Sequence, residues 1–518
     1  MKILSCVFPV KPGKPAINAE KMIHITEENP ADIYLFPAYS LVGSTCGALL
    51  EFKFFQEECD KAVDMLCKAT EDNGKIIVTS VPKYENIVIR NGDILKNNRF
   101  TLEGKEVAVS ETGNEKGDVL LLPTIMPGYP CIQNDIIEFC AKASANYKCV
   151  VAMANGGFGE SAADNVYKGM CGIFRNGIIV DFKPQDLPET IICAAEDTKE
   201  SGIIYTRNKG IDYKMPYYGK NEPKRWLGEL FKLQTQALYT RLESSGLKKV
   251  AVNVSGGLDS TLALLVAESA MKMAGYPAKD IYALTLPCFG TGERTKGNAE
   301  KLMELVGATA QKIDIKAAVT AHLEDIGHNV KDENVVFENA QARERAQILM
   351  DVANIHNALA LGTGDMSEAA LGWCTYGGDT MCHYNVNATV PKTVVREVVK
   401  MIAEERGGQL GDVLRDIVDT PISPELKQGQ VTEDIVGPYE LHDFFMFYFA
   451  KFKKSREEIR QYALATFDEY SDEEIEKWLD VFFTRFSRSQ FKRSSAPEGA
   501  NLLGFTLPYI PTEINPQF

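Results

Sequence analysis

The run Ser255-Gly256-Gly257-Leu258-Asp259-Ser260 follows the apolar stretch Val250-Ala251-Val252-Asn253-Val254. The pattern predicts a buried strand, a tight loop and a helix over Thr261 to about Ala274. Such a loop offers backbone N–H groups and a helix N-terminus to a phosphate. Gly256 and Gly257 admit positive φ and put no Cβ in the way of an approaching anion. Ser255 and Ser260 add hydroxyl donors. The carboxylate of Asp259 repels a phosphate unless a cation such as Mg2+ lies between them. No lysine follows the glycines, which excludes the GxxxxGK[ST] loop. A plain glycine-rich turn is the bland alternative.

A second run, Gly362-Thr363-Gly364-Asp365-Met366-Ser367-Glu368, leads into Leu371-Gly372-Trp373-Cys374-Thr375-Tyr376-Gly377-Gly378-Asp379. Its small residues at a strand end leave room for a nucleotide, and Thr363 can donate to a phosphate or ribose. Glu368 can bind a metal or a ligand amide, or simply cap the next helix. Trp373 offers a flat face for an aromatic ring, although a single Trp is more often core. Further on, His383-Tyr384-Asn385-Val386-Asn387-Ala388 leads to Pro391-Lys392-Thr393, where Lys392 is a candidate phosphate partner or a solvated loop lysine.

These runs need strands and helices to hold them. Around the first loop, strands are expected at 250–254, 281–286, 311–315 and 358–362, with helices near 225–244, 295–306, 317–327 and 338–356. That alternation is the βαβ rhythm of a parallel sheet, whose ligand groups gather at the C-terminal strand ends. After Thr393 the chain reads as mostly helical, with aromatic-rich amphipathic runs at 439–452 and 472–486, then an extended tail from Leu507. Residues 1–205 alternate strand-like runs at 75–79, 107–109, 118–122, 149–153, 172–174 and 177–180 with helices at 17–28, 53–71 and 133–146. The last two strands form a hairpin about Asn176-Gly177. We therefore expect an α/β protein: a first layered domain over 1–205, a polar link over 206–224 and a second domain over 225–518.

Composition narrows the classes. A chain of 518 residues can bury two or three cores, and a net charge of −15 argues against a general nucleic-acid surface. The 12 cysteines are irregularly spaced without a CxxC pair, as expected of free thiols in a reducing cytoplasm rather than a zinc site. No run approaches the ~18 apolar residues of a membrane span, and the opening residues carry too short an apolar stretch for a signal peptide. A cytoplasmic enzyme is the expectation.

Taken together, SGGLDS, GTGDMSE with LGWCTYGGD, HYNVNATVPKT and Ser489-Gln490-Phe491-Lys492-Arg493-Ser494 stand in the order found in NAD(+) synthetases. The chain most resembles the large bacterial, glutamine-dependent type. Pro287-Cys288-Phe289-Gly290-Thr291-Gly292 and Glu338-Asn339-Ala340-Gln341-Ala342-Arg343 extend the resemblance over about 225–497. It implies a PP-loop ATP pyrophosphatase fold (adenine-nucleotide α-hydrolase-like) and a two-step reaction. The nicotinate carboxylate of deamido-NAD attacks the α-phosphate of ATP, expelling pyrophosphate. Ammonia then displaces AMP from the acyl-adenylate. On matching positions, Asn253, Val254, Ser255, Gly256, Gly257, Leu258, Asp259 and Ser260, with Thr363 and Lys392, would bind ATP. Asn339, Glu368, Trp373 and Lys492 would bind deamido-NAD, and Asp259 and Glu368 would hold Mg2+. The related large synthetases are homo-oligomers, often octamers, so a homo-oligomer is expected.

Residues 1–205 resemble the nitrilase-like glutaminase domain that such synthetases carry, an α/β sandwich with a Glu–Lys–Cys triad. Here Phe36-Pro37 is followed by Ala38 where Glu is usual. The strand Val107-Ala108-Val109 ends in Ser110-Glu111 where Cys-Glu is usual, and no lysine aligns over 92–100. A serine without a general base is a weak nucleophile near neutral pH. The domain is thus expected to be non-catalytic and the enzyme to use ammonia directly. Two alternatives remain open: a working glutaminase with Cys46, Cys131 or Cys171 as nucleophile, or a separate glutaminase partner. A non-catalytic nucleotide-binding regulator is a further reading, disfavoured because the pyrophosphate and metal groups are all kept.

Overall fold

In the computed structural model, the residues described are 1–81, 85–196, 203–204, 214–218, 222–290, 292–423, 426–427 and 432–511. The chain divides into two compact units, 1–208 and 209–518. The expected link over 206–224 lies largely outside the described residues.

In the first unit, apolar β-branched and leucine runs form strands buried on both faces. In chain order the elements are β1 (Lys2–Val7), α1 (Pro15–Glu28), β2 (Ile33–Leu35), α2 (Lys53–Ala69), β3 (Ile76–Val81), β4 (Glu85–Arg90), β5 (Asp93–Ile94), β6 (Arg99–Leu102) and β7 (Lys105–Val109). There follow β8 (Val119–Thr124), α3 (Ile132–Tyr147), β9 (Val150–Asn155), β10 (Met170–Arg175), β11 (Ile178–Pro184), β12 (Ile191–Glu196) and β13 (Ile203–Ile204). They build two sheets, ordered β12-β1-β2-β3-β4-β5 and β13-β11-β10-β9-β8-β7-β6. Ile3, Val7, Leu35 and Val78 of one sheet pack against Val109, Leu121, Ala152 and Ile173 of the other, closing a sandwich. Helices α1 and α2 cover one outer face and α3 the other. This is the layered α/β sandwich that the sequence leads one to expect of the first domain. The β10–β11 turn runs through Asn176 (φ 49°) and Gly177 (φ 83°), the positive pair an Asn-Gly hairpin requires.

The second unit opens with α4 (Pro223–Ser245) and continues β14 (Val250–Asn253), α5 (Leu258–Met273), β15 (Ile281–Thr285), α6 (Glu293–Val306), β16 (Thr309–Lys312), α7 (Lys316–Asp325), α8 (Val335–His356), β17 (Leu359–Gly362), α9 (Met366–Leu371) and β18 (Tyr384–Asn385). Beyond lie α10 (Lys392–Arg406), α11 (Gly408–Val418), α12 (Thr432–Val436), α13 (Tyr439–Phe452), α14 (Arg456–Leu464), α15 (Asp472–Arg488) and α16 (Gln490–Arg493). The sheet order is β16-β15-β14-β17-β18, with every pair parallel. The chain steps outward from β14 to β15 and β16, then returns to the other side at β17. Strands β14 and β17 therefore flank a topological switch point, the place where a parallel sheet opens a crevice at its C-terminal edge. The two sequence runs singled out above leave these two strands.

Some boundaries differ from expectation. Helix α5 begins at Leu258, not Thr261, because Gly257 in extended conformation caps it directly. Strand β16 ends at Lys312, before Asp314 and Ile315, because these residues turn the chain into α7. Among the described residues, no helix is long and apolar enough to cross a membrane.

Candidate functional site

The loop after β14 is held open by its own side chains. Ser255 Oγ accepts from Gly257 N at 3.1 Å and lies 3.1 Å from Ser260 Oγ, which in turn accepts from Ser255 N at 3.2 Å. Gly256 has φ +93°, and a Cβ on it would stand 2.1 Å from the carbonyl oxygen of Thr295 on α6. Glycine is required there both by conformation and by space. Leu258, Asp259 and Ser260 of the first turn of α5 line the crevice, the end of a helix whose first N–H groups have no partner within the helix itself.

Across the switch point, Asp365 caps α9 by accepting from Glu368 N at 2.8 Å. Capping was an alternative role for Glu368; the structure gives it to Asp365 and frees the Glu368 carboxylate. Lys392, at the first position of α10, is 2 % exposed and so not a solvated loop lysine. Its Nζ lies 2.5 Å from Asp259 Oδ2, 2.8 Å from Asp365 Oδ2 and 2.9 Å from Glu368 Oε1. Three carboxylates around one ammonium leave an excess of negative charge. Burial drives Asp365 above the usual carboxylate range and Glu368 up to about 7, with Lys392 opposing both. Burial alone would lower Lys392, but Asp259, Asp365 and Glu368 hold its ammonium above the ordinary lysine range.

Asp259, Asp365 and Glu368 each bring an oxygen within 4.8 Å of the others. Asp259 Oδ1 is buried and has no hydrogen-bond partner among the described residues. This unpaired hard oxygen donor, beside two further carboxylates, fits a divalent cation such as Mg2+. Asp365 lies within a motif quoted from the sequence but was given no role there. Its signal, a carboxylate three residues before another at a strand end, also reads as a plain helix cap.

A cleft of about 560 Å3 brings the pieces together. Asn253, Val254, Ser255, Gly257, Leu258, Asp259, Ser260, Asn339, Thr363, Glu368, Trp373, Lys392 and Lys492 all line it. Of the expected site residues in this unit only Gly256 does not, being turned against Thr295. Arg345, Lys427 and Arg485 also line the cleft and were missed, because single basic residues in helices and loops carry no pattern. Trp373 is half-buried with the Arg485 guanidinium 5.3 Å from its ring centre, a cation–π contact on one face. Lys492 Nζ donates to the carbonyls of Gly372 and Cys374, both at 2.7 Å, and so fixes the segment that carries Trp373. Gly362 does more than leave space: a Cβ there would stand 2.5 Å from Cys382 Sγ.

In the first unit, Ala38 is buried after β2 and supplies no titratable group. Ser110 is buried at the end of β7, where its Oγ accepts from Gly113 N at 3.1 Å and so caps a turn. Cys171 is buried in the sandwich, its Sγ 2.9 Å from Cys193 Sγ, an unsuitable place for a nucleophile that must meet substrate. Burial raises the Cys46 thiol, which donates to Val42 O. Cys131 immediately precedes α3, at φ 65°.

A family model described as NAD synthase matches residues 230–496. The glutamine-dependent NAD(+) synthetase of Mycobacterium tuberculosis is 42% identical over 301 residues, 52% of this chain and 44% of that protein. The matched stretch thus spans less than half the length of these relatives. The Aquifex aeolicus protein of the same name is 23% identical over 94% of both chains. The crystal structure of a glutamine-dependent NAD(+) synthetase from Cytophaga hutchinsonii covers 99% of this chain and 97% of its own with a TM-score of 0.79 at 14% identity, a likeness of fold.

Proposed function

This chain belongs to the NAD synthase family, and from that premise we propose that it converts deamido-NAD to NAD at the cost of ATP, releasing AMP and pyrophosphate. The observation that carries the reading is the convergence, in one cleft at the sheet's switch point, of the loop after β14 with Thr363, Lys392, Asn339, Trp373 and Lys492. A carboxylate is a poor electrophile, so its oxygen first attacks the α-phosphate of ATP and the bond to pyrophosphate breaks. The leaving polyanion meets the N–H groups of α5, the hydroxyls of Ser255, Ser260 and Thr363, and the ammonium of Lys392. Asp259, Asp365 and Glu368 would hold Mg2+, which would neutralise part of that charge. Ammonia then attacks the acyl carbon, AMP leaves, and the amide loses a proton. No covalent enzyme intermediate is needed; positioning and charge carry the rate.

The relatives' shared name favours glutamine as the nitrogen source over an enzyme restricted to ammonia. Ala38 and Ser110 point the other way for this chain's first unit, which lacks a triad at the expected positions. We therefore propose that ammonia is the species the second unit consumes, and that any glutamine dependence rests on a separate glutaminase partner. The assembly is proposed to be a homo-oligomer in the cytoplasm. Purified full-length protein with deamido-NAD, ATP and Mg2+ is given ammonium or glutamine, and NAD, AMP and pyrophosphate are measured. Equimolar products from ammonium support the reading, and no products from either donor refute it. Comparable turnover from glutamine alone refutes the ammonia proposal and leaves NAD synthesis standing.

A further inference from the structure

Helix α10 begins without a cap of its own. Its N-cap residue is Pro391, whose side chain accepts nothing, yet Lys392 at the next position must aim its ammonium into the carboxylate cluster. The orphan N–H groups of that first turn are satisfied from two other helices. Lys392 N donates to Ser367 Oγ on α9 at 2.9 Å, and Thr393 N donates to Asp443 Oδ2 on α13 at 2.9 Å. Asp443 also accepts from Thr393 Oγ1 at 2.7 Å and, through Oδ1, from the Ser367 hydroxyl. It is 1 % exposed, and its own carbonyl accepts from Tyr217 at 2.6 Å.

One carboxylate therefore caps α10 from outside and, through Ser367, grips α9 between Asp365 and Glu368. One turn earlier on α13, the Tyr439 ring lies 5.5 Å from Lys392 Nζ and closes the floor beneath it. A buried carboxylate is costly to desolvate, and an apolar side chain would fill the space at lower cost. The geometry points to a role in orientation: we propose that Asp443 is a positioning residue that acts through Lys392, fixing the start of α10 and the register of Asp365 and Glu368 against it. This rests on the reading of the cleft as an ATP site.

The test is a double-mutant cycle in the full chain between Asp443→Asn and Lys392→Met, with Asp443→Ala as a third variant. Asparagine can still accept from Thr393 and can donate to Ser367, so it spares folding if alanine does not. Asp443→Asn is expected to lower the turnover for pyrophosphate release ~10-fold and Asp443→Ala ~100-fold, the scale of a ~1 Å misplacement, with KM for deamido-NAD unchanged. In the Lys392→Met background, Asp443→Asn is expected to cause no further loss. The same coupling is expected in the thermal shift produced by ATP with Mg2+, a readout that does not require NAD formation. Independent, multiplicative losses in both readouts would overturn the proposal, as would full activity of Asp443→Ala. Absence of NAD formation by the unmutated protein, with ATP coupling intact, would instead count against the proposed reaction alone.

Discussion

The ammonium of Lys392 stands 2.8 Å from a carboxylate oxygen of Asp365, a side chain with no exposure to solvent. Asp259 and Glu368 crowd the same ammonium, so the lysine is the counter-charge that lets three acids share one pocket. Removing one partner of a buried ion pair costs about 3–5 kcal/mol because the remaining charge is left uncompensated. Lys392→Met is accordingly expected to lower unfolding free energy by about 3 kcal/mol in urea titrations without divalent cation, and to recover part of it in millimolar Mg2+. Equal destabilisation with and without the cation would contradict the three-acid site.

Gly256 is the tightest point of the phosphate-loop geometry. Its φ of +93° and the 2.1 Å approach of a Cβ to Thr295 O are separate obstacles to any side chain. Gly256→Ala is expected to cost at least ~2 kcal/mol, since neither the strain nor the backbone clash can be relieved by a rotamer change. Because the loop must shift to fit the methyl group, apparent ATP affinity is expected to fall by at least an order of magnitude. A variant of unchanged melting temperature and ATP affinity would show that the loop is pliable.

The strand–loop–helix at 250–273 was legible because its signals agree: an apolar run, glycines at the turn and hydroxyls at a helix start. The parallel sheet was legible for the same reason. The cluster around Lys392 was legible only in part. Asp259 and Glu368 stand out beside glycines, but Asp365 reads equally well as a cap, and Asp443 lies in an aromatic-rich helix whose pattern signals only burial. Strands β1 and β2 also escaped, since Lys2–Val7 and the three residues Ile33–Leu35 pair with partners far along the chain. Contacts between distant segments leave no local periodicity.

Ser110 offers a clean probe of the first unit. Its hydroxyl caps a turn at Gly113, so Ser110→Ala is expected to cost only about 1 kcal/mol, the usual net worth of one hydrogen bond. NAD formation from ammonium, and the ratio of glutamine to ammonium turnover, are expected to stay within twofold of the unmutated protein. A selective collapse of glutamine turnover would identify Ser110 as a working nucleophile.

His442 makes acid stability measurable at one residue. The ring is buried between Trp478, Phe445 and Phe482, and its Nε2 lies 2.6 Å from Val436 O, which requires the proton on Nε2. Nδ1 is buried without a partner among the described residues, so a second proton would bring an unsolvated charge. Burial accordingly pushes the imidazole from 6.5 down to about 4, against the opposing bond to Val436. The unfolded chain binds this proton below pH 6.5 while the folded chain refuses it until about pH 4. The contribution of neutral His442 is thus complete above pH 6.5 and is lost as pH falls through that window, at about 1.4 kcal/mol per unit. Asp443 next to it is raised to about 6 by burial and titrates in the opposite sense over the same range. The total stability curve therefore hides the effect, and a difference against His442→Phe reveals it. The gap between the two proteins is expected to move in favour of the variant by about 3 kcal/mol from pH 7 to pH 4. A gap that stays constant across that range would mean that His442 is protonated in the fold as readily as in the unfolded chain.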